Sequence, residues 1–223
     1  MGLSRPKLVL IDLDGTLVDS VPDLAYCVDE LMRVLGREPW GVDMVRGWVG
    51  NGVERLVKRA LTNTLWDDPE DEAFEKALPI FMKLYAENTS GRSRLYPGVT
   101  QGLEALKAAG LKLGCVTNKA EAFTLPLLKD MGILGEFDIV VSGDTTPKKK
   151  PDPMPLLYAA NQLGVKAEEC LMVGDSMHDV EAARNAGFEV ACVPYGYNHG
   201  RDIREANPDA VIDSLAELKS LFR

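Results

Sequence analysis

The stretch KLVLIDLDGT, residues 7–16, joins an apolar run to a polar turn. The run is nearly continuous, which is typical of a strand covered on both faces in a parallel sheet. It leads into Asp12 and Asp14, which are followed by Gly15 and Thr16. Ligands of open parallel sheets bind outside the carboxyl ends of the strands. The stretch therefore predicts a parallel α/β sheet and marks its functional edge.

Five further apolar runs predict more strands of this sheet. They lie at residues 111–116, 137–141, 170–173, 190–193 and 210–212. Helical patterns separate them, and one places Val99, Leu103 and Leu106 on one face before Gly110 closes the helix. Strands that alternate with helices indicate βαβ units, so we predict a Rossmann-like parallel-sheet core with helices on both faces.

Residues 21–91 interrupt the alternation and contain no convincing strand. Their apolar spacing predicts helices at 22–35, 43–65 (in two pieces) and 69–88. We therefore expect a catalytic core formed by residues 1–20 and 92–223, with residues 21–91 inserted as an all-α cap that determines substrate specificity.

Composition and charge limit the classes of function. The 223 residues are 46% hydrophobic, which suffices for a normal core. The formal net charge is −9, whereas nucleic-acid-binding proteins usually carry a basic face. No stretch approaches the ~20 apolar residues of a membrane span, and residues 1–7 lack the apolar segment of a signal peptide. We expect a cytoplasmic protein without nucleic-acid or membrane partners.

The cysteines Cys27, Cys115, Cys170 and Cys192 are scattered and lack the paired spacing of a metal site. Three of them lie in or beside apolar runs, where cysteine behaves as a small hydrophobic residue. We expect buried free thiols, which suits a reducing cytosol.

Further polar residues follow the later strands. Thr117 and Asn118 follow the second strand of the sheet, Lys150 follows the third, and Asp175 follows the fourth, with Asp179 four residues later. Because the carboxyl ends of parallel strands share one edge, we expect these side chains to converge with the two aspartates of the first strand.

These residue types suit the hydrolysis of a phosphate monoester, which is among the slowest uncatalysed reactions. Asp12 can attack phosphorus and so divide the reaction into two easier steps. Asp14 can protonate the departing alkoxide and later deprotonate the attacking water. Both would act as catalytic residues.

Oxygen ligands at this edge suit Mg²⁺ as the cofactor. The candidate metal ligands are Asp12, Asp14 and Asp175. The candidate substrate-binding residues, which would hold phosphate oxygens, are Thr117, Asn118 and Lys150. We expect Asp179 to lie one step further out, where it orients Lys150 or a metal-bound water.

Structural explanations stay open for the same residues. The first two aspartates could form a polar turn after a strand, Asp175 could cap a helix, and Thr117 could be an ordinary β-branched strand residue. His178 and His199 are separated by a strand and are not expected to form a site. Arg59, like the other cap cations, is expected to be a solvated helix charge, although one of these cations could reach a substrate.

Taken in order, the motifs resemble those of the haloacid dehalogenase-like hydrolase superfamily. The first is DLDGT at 12–16, the second is Thr117, the third is Lys150 before Pro151, and the fourth is GDSMHD at 174–179. The resemblance spans most of the chain and implies a helical cap inserted after the first motif, Mg²⁺ and an aspartyl-phosphate on Asp12. It also implies that the backbone carbonyl at Asp14, rather than its side chain, ligates the metal.

A closer resemblance is to the bacterial phosphoglycolate phosphatases. It lies in DLDGTLVDSVPD at 12–23, WVGNGVERL at 48–56 and KKPDP at 149–153. It implies that the substrate is a small phosphorylated metabolite, 2-phosphoglycolate, and that residues 50–52 could offer backbone N–H groups to its carboxylate.

Several other functions share parts of this pattern. A sugar-phosphate phosphatase or a β-phosphoglucomutase-like phosphomutase would use the same core residues, so the cap would decide between them. A dehalogenase would lack the second acid that Asp14 supplies, and a phosphonate-cleaving relative would need a cap lysine, for which Lys58 has no supporting motif. A phospho-accepting signalling domain would not have its last acid after the lysine or a large insertion at 21–91.

Overall fold

A computed structural model describes residues 2–223 and contains a six-stranded parallel sheet. The strands are β1 (Leu8–Ile11), β2 (Val18–Asp19), β3 (Arg94–Leu95), β4 (Lys112–Val116), β5 (Ile139–Val141), β6 (Cys170–Gly174), β7 (Glu189–Cys192) and β8 (Ala210–Val211). Six of these strands form the large sheet, in the order β5-β4-β1-β6-β7-β8 with parallel neighbours. Strands β2 and β3 pair separately. All six strands predicted from apolar runs are confirmed.

Helices fill the connections. They are α1 (Val21–Val34), α2 (Val42–Arg46), α3 (Val53–Thr62), α4 (Asp71–Glu87), α5 (Val99–Ala108), α6 (Glu121–Asp130), α7 (Met154–Gln162) and α8 (Met177–Ala186). Short 3-10 helices lie at Leu134–Glu136, Ala167–Glu169, Ile203–Ala206 and Leu215–Leu221. The prediction of a parallel α/β core with a helical insertion is confirmed.

Strand β1 lies inside the sheet and is covered on both faces. Val9 and Ile11 belong to the apolar cluster that includes residues of α5 and α6, whereas Leu8 and Leu10 belong to the cluster that includes residues of α7 and α8. All four side chains are fully buried. Complete burial of such side chains contributes about 1.5–3 kcal/mol each, so β1 holds the functional edge in a fixed position.

The inserted helices α1–α4 have an apolar cluster of their own. Its members include Leu31 of α1, Val57 of α3 and Phe81 of α4, and it extends to Phe123 and Tyr197 of the surrounding chain. The insertion is therefore packed internally and also rests on the loops at the edge of the sheet.

A two-stranded antiparallel ribbon joins the insertion to the sheet. Strand β2 pairs with β3, so that Val18 lies opposite Leu95 and Asp19 opposite Arg94. The sequence did not predict this ribbon. Two-residue strands carry no periodicity, and only the return of the chain at residue 94 creates the pairing.

Two global expectations concern membranes and cysteines. Within residues 2–223, no helix combines the length and apolar character needed to cross a bilayer. All four cysteines are buried and free, as expected.

Candidate active site

The edge of the sheet brings the predicted phosphate-binding lysine to the predicted nucleophile. Lys150 Nζ lies 2.8 Å from Asp12 Oδ1 and 2.7 Å from Asp179 Oδ1. It also donates to the backbone carbonyl of Val116, at 2.8 Å. Burial alone would lower the pKa of Lys150, but Asp12 and Asp179 outweigh it and raise the pKa. The lysine is therefore a fixed positive charge beside Asp12.

Helix α8 begins directly beside this lysine. Ser176 is its N-cap residue and forms a capping box with Asp179, whose Oδ2 accepts from the Ser176 N–H and hydroxyl at 3.1 and 2.8 Å. Burial would raise the pKa of Asp179, but Lys150 and these donors hold it below its ordinary value. Since Ser176 occupies the cap position, Asp175 does not cap the helix.

Asp175 is buried and faces the first strand. It accepts a hydrogen bond from the Thr16 hydroxyl at 3.0 Å and another from the backbone N–H of Tyr197. Oxygen atoms of Asp12, Asp175 and Asp179 all lie within 4.8 Å of one another. Burial raises the pKa of Asp12 to about 7, and burial together with Asp12 and Asp179 raises that of Asp175 well above its ordinary value.

The charges of this cavity favour a divalent cation. Its lining includes four carboxylates and two ammonium groups, which leaves two negative charges in excess: Asp12, Asp14, Asp175 and Asp179 against Lys119 and Lys150. Clustered buried carboxylates are costly unless a cation compensates them, and carboxylate oxygen is the ligand type that Mg²⁺ prefers. The donor set therefore fits Mg²⁺.

The side chain of Asp14 lies outside the acidic group. It accepts a hydrogen bond from the Ser20 hydroxyl, and both of its oxygens accept from Lys119 Nζ, at 3.0 and 3.1 Å. This placement keeps the carboxyl group apart from the acidic group and is compatible with a metal contact through the backbone carbonyl of Asp14.

Lys119 is a candidate functional residue that the sequence analysis did not single out. Its side chain is 4% exposed and lines the same cavity as Asp12. Burial alone would lower its pKa, but Asp14 outweighs burial and the pKa is raised. The available signal was its position directly after Thr117 and Asn118, at the carboxyl end of β4.

Thr117 and Asn118 both line the cavity. The Thr117 hydroxyl accepts from the backbone N–H of Lys119 at 3.2 Å. The Asn118 amide pairs with the backbone of Lys150, since its Nδ2 donates to the Lys150 carbonyl and its Oδ1 accepts from the Lys150 N–H, both at 2.9 Å. Asn118 thus fixes the lysine loop, and its contact with substrate stays a prediction.

His178 and His199, which were not expected to form a site, nevertheless lie close together. Their ring centroids are 6.4 Å apart, because β6 and β7 are neighbours in the sheet and the segments that follow them meet. His178 lines the cavity, and its Nε2 lies 2.9 Å from Nδ2 of Asn51 in the insertion. Burial lowers the pKa of both histidines, so both rings are neutral at pH 7.

The expectation of a solvated Arg59 is wrong, since this residue has no exposed surface. Its guanidinium donates to the carbonyl oxygens of Trp48 and Leu65 and to Oδ1 of Asn51, the last at 2.7 Å. The turn around Asn51 folds over the side chain, which a reading of helix charge could not anticipate.

The insertion supplies part of the cavity wall. Its contribution to the lining comes from Leu24, Val49, Gly50, Gly52, Val53 and Leu56. These residues are apolar or glycine, whereas the charged groups come from the sheet edge. The reacting groups and the enclosing surface are therefore supplied by different parts of the chain.

Comparison with known proteins agrees with this geometry. The family model described as haloacid dehalogenase-like hydrolase matches residues 6–187. The chain is 58% identical to the phosphoglycolate phosphatase of Nitrosococcus oceani, over 99% of this chain and 98% of that one. It is 49% identical to the phosphoglycolate phosphatase of Nitrosospira multiformis, over 97% and 96%.

A solved structure is similar over nearly its whole length. It is that of a predicted phosphoglycolate phosphatase from Haemophilus somnus, with 36% identity and a TM-score of 0.91, covering 98% of this chain and 99% of that one. On the family match, the identities and the arrangement of strand-end residues, this chain belongs to the haloacid dehalogenase-like hydrolase family.

Proposed function

We propose that the protein is a Mg²⁺-dependent phosphatase that hydrolyses 2-phosphoglycolate to glycolate and phosphate. The reaction type is supported by one observation above all: Asp12, next to a buried lysine, belongs to a group of acids with excess negative charge. The substrate is supported by the name of the 58% identical relative, which spans nearly the whole chain. The buried free thiols suit a reducing compartment, so we propose a cytoplasmic location.

In the first step, an Asp12 oxygen bonds to phosphorus as the bond from phosphorus to the glycolate oxygen breaks. Asp14 donates its proton to that departing oxygen. Lys150 and the Thr117 hydroxyl hold the non-bridging phosphoryl oxygens as charge redistributes. The product of this step is glycolate, and the phosphoryl group stays on Asp12.

In the second step, Asp14 accepts a proton from water as the water oxygen bonds to phosphorus and the bond to Asp12 breaks. Phosphate leaves and Asp14 is protonated again, so both carboxyl groups return to their starting forms. Mg²⁺, held by Asp12, Asp175 and the Asp14 carbonyl, would neutralise phosphoryl charge when bound. Asp179 keeps Lys150 directed at the nucleophile.

The insertion, residues 21–91, would act as the cap that selects the substrate. Gly50 and Gly52 lie in the cavity wall with the apolar side chains Leu24 and Leu56. A small enclosed site of this kind would exclude bulky sugars while the core performs the chemistry.

The central test compares kcat/KM of the Mg²⁺-loaded enzyme for 2-phosphoglycolate with the values for hexose phosphates, nucleotides and other small phosphate monoesters. We expect the highest value for 2-phosphoglycolate. A clear preference for a sugar phosphate would replace the proposed substrate while leaving the chemistry intact.

The same assay with two isosteric variants tests the chemistry. Asp12→Asn removes the nucleophile, so turnover should be abolished. Asp14→Asn removes only the proton donor and should lower kcat by roughly 10²- to 10⁴-fold. Near-normal turnover of Asp12→Asn would refute the covalent mechanism whatever the substrate.

A further inference from the structure

We propose that Lys119 binds the carboxylate of the substrate and thereby distinguishes 2-phosphoglycolate from phosphate esters that lack a carboxylate. This inference rests on the proposed phosphatase activity and assigns its specificity to one residue. Its basis is the position of the Lys119 ammonium group relative to Asp14, Lys150 and the cavity.

Lys119 is held between the sheet edge and the insertion. Its Nζ contacts both oxygens of Asp14 and lies 5.0 Å from the centre of the Tyr85 ring in α4. The ammonium group therefore lies where the sheet edge meets the insertion.

The two lysines of the cavity differ in the contacts that their ammonium groups already make. Lys150 contacts Asp12, Asp179 and the Val116 carbonyl, so its three N–H donors are all directed to the nucleophile side, where the phosphoryl group would bind. Lys119 contacts a single carboxylate and an aromatic face. Among the lysines and arginines of residues 2–223, these two line the cavity. Of the two, Lys119 is the one with an N–H donor left to bind a substrate.

The proposed chemistry fixes where a substrate carboxylate would lie. Asp14 must reach the oxygen that joins phosphorus to glycolate, because it protonates that oxygen as the bond breaks. In 2-phosphoglycolate the carboxylate is attached to this oxygen through one carbon atom. A cation in contact with Asp14 is therefore within reach of that carboxylate, whereas a hexose phosphate would place uncharged carbons there.

The charge of the substrate points to the same residue. With a divalent cation the charges of the cavity lining cancel, so a substrate with a phosphate dianion and a carboxylate brings negative charge that must be met locally. The phosphate meets the metal and Lys150, and the carboxylate needs a cation of its own to be bound in a buried site. Lys119 supplies it.

The test uses two esters that differ in a single group, 2-phosphoglycolate and 2-hydroxyethyl phosphate. Their kcat/KM values are measured with Mg²⁺ for the wild type, Lys119→Met and Lys119→Arg. For 2-phosphoglycolate, Lys119→Met should lose roughly 10- to 150-fold, the equivalent of one hydrogen bond to a charged group. For 2-hydroxyethyl phosphate the loss should be much smaller, and Lys119→Arg should recover part of the preference.

Three controls make the outcome unambiguous. Lys129→Met changes the same charge on the exposed face of α6 and should leave both kcat/KM values unchanged. Thermal melting reports whether each variant folds. If Lys119→Met does not fold, it is replaced by Lys119→Gln, which keeps hydrogen-bond donors. A wild type without preference for 2-phosphoglycolate would defeat the proposed substrate before any variant is made.

Equal losses for the two esters would overturn this proposal alone. Such a result would mean that Lys119 serves only to position Asp14, since a damaged proton donor slows both reactions alike. The wild-type preference for 2-phosphoglycolate would then have to come from another part of the cavity.

Discussion

At the scale of single residues, Arg59 is an unusual charge to find inside a helical insertion. Its three hydrogen-bond acceptors are uncharged, and no Asp or Glu carboxylate within residues 2–223 forms an ion pair with it. Burial, with a contribution from Arg55, lowers the pKa of Arg59 to about 10, so the guanidinium keeps its charge at pH 7. Through Asn51 it also connects to His178 in the cavity wall.

Replacing Arg59 with Met should therefore destabilise the protein. The substitution leaves the Trp48 and Leu65 carbonyls and the Asn51 side chain without their donor in a buried site. We expect the free energy of unfolding to fall by about 2 kcal/mol, measured by urea denaturation.

The neighbouring Arg55 provides the matched control for that measurement. It lies on the same helix and pairs with Asp68, which is largely exposed, so Arg55→Met should change the free energy of unfolding by less than about 1 kcal/mol. Equal effects of the two substitutions would show that the buried contacts of Arg59 contribute nothing special.

Single residues also show where sequence-based reasoning stops. The convergence of Asp12, Lys150 and Asp175 was predictable, because all three follow strands of one parallel sheet. The contacts of Lys119 and Arg59 depend on how the insertion packs against the edge, and no local pattern encodes that packing. The two histidines come together for a different reason, the adjacency of β6 and β7 in the sheet.

At the scale of elements, the junction between the insertion and the sheet is held by a buried carboxylate. Asp23 in the first turn of α1 is fully buried. It accepts from the backbone N–H groups of Arg92 and Ser93, at 2.9 and 2.8 Å, and from the Ser93 hydroxyl at 2.7 Å. The start of the insertion is thus fastened to its end, directly beside the β2–β3 ribbon.

Asp23→Ala should loosen this junction. Two backbone N–H groups and a hydroxyl would lose their acceptor, and hydrogen bonds to a charged group are among the stronger ones. We expect the free energy of unfolding to fall by about 3 kcal/mol, measured by chemical denaturation.

Glu30 on the same helix gives the comparison for Asp23. It forms a surface pair with Arg33, three residues on, so Glu30→Ala should cost no more than about 0.5 kcal/mol. If Asp23→Ala proved as mild, the buried acceptor would not be what holds the junction together.

Elements with a clear pattern of apolar residues were predicted from the sequence, and those without one were missed. The sheet strands are continuous apolar runs, and the helices of the insertion have clear amphipathic spacing, so both were found. The ribbon at residues 18–19 and 94–95 was not, since it depends on pairing between segments that lie far apart in the sequence.

At the scale of the whole molecule, three apolar clusters divide the interior between the two faces of the sheet and the insertion. The cysteines are distributed over all three, with Cys115 in the first, Cys170 and Cys192 in the second and Cys27 in the third. Thiol chemistry can therefore report on the integrity of every cluster at once.

We expect no thiol to react with Ellman's reagent at pH 8 while the protein is folded. All four side chains are buried, and burial raises the pKa of Cys27 and of Cys170 to about 12, with nearby acids adding to the effect. Thiolate is the reactive form, so raising the pKa far above the assay pH suppresses reaction further. All four thiols should titrate in denaturant.

An added surface thiol calibrates this assay. Ser220→Cys places one on an exposed position of the last 3-10 helix and should react at once in the folded protein. Rapid labelling of the unaltered protein would instead reveal an opening of one cluster, and mapping the modified cysteine would identify which.

The β2–β3 ribbon has a consequence for how such proteins diversify. Because the outgoing and returning chains lie side by side as hydrogen-bonded neighbours, the segment between them is an insertion whose two ends already meet. A helical insertion of different length or shape could replace it at this ribbon without altering the path of any strand of the large sheet. A new substrate could thus be acquired by exchanging this insertion alone, while the reacting residues at the sheet edge stay unchanged.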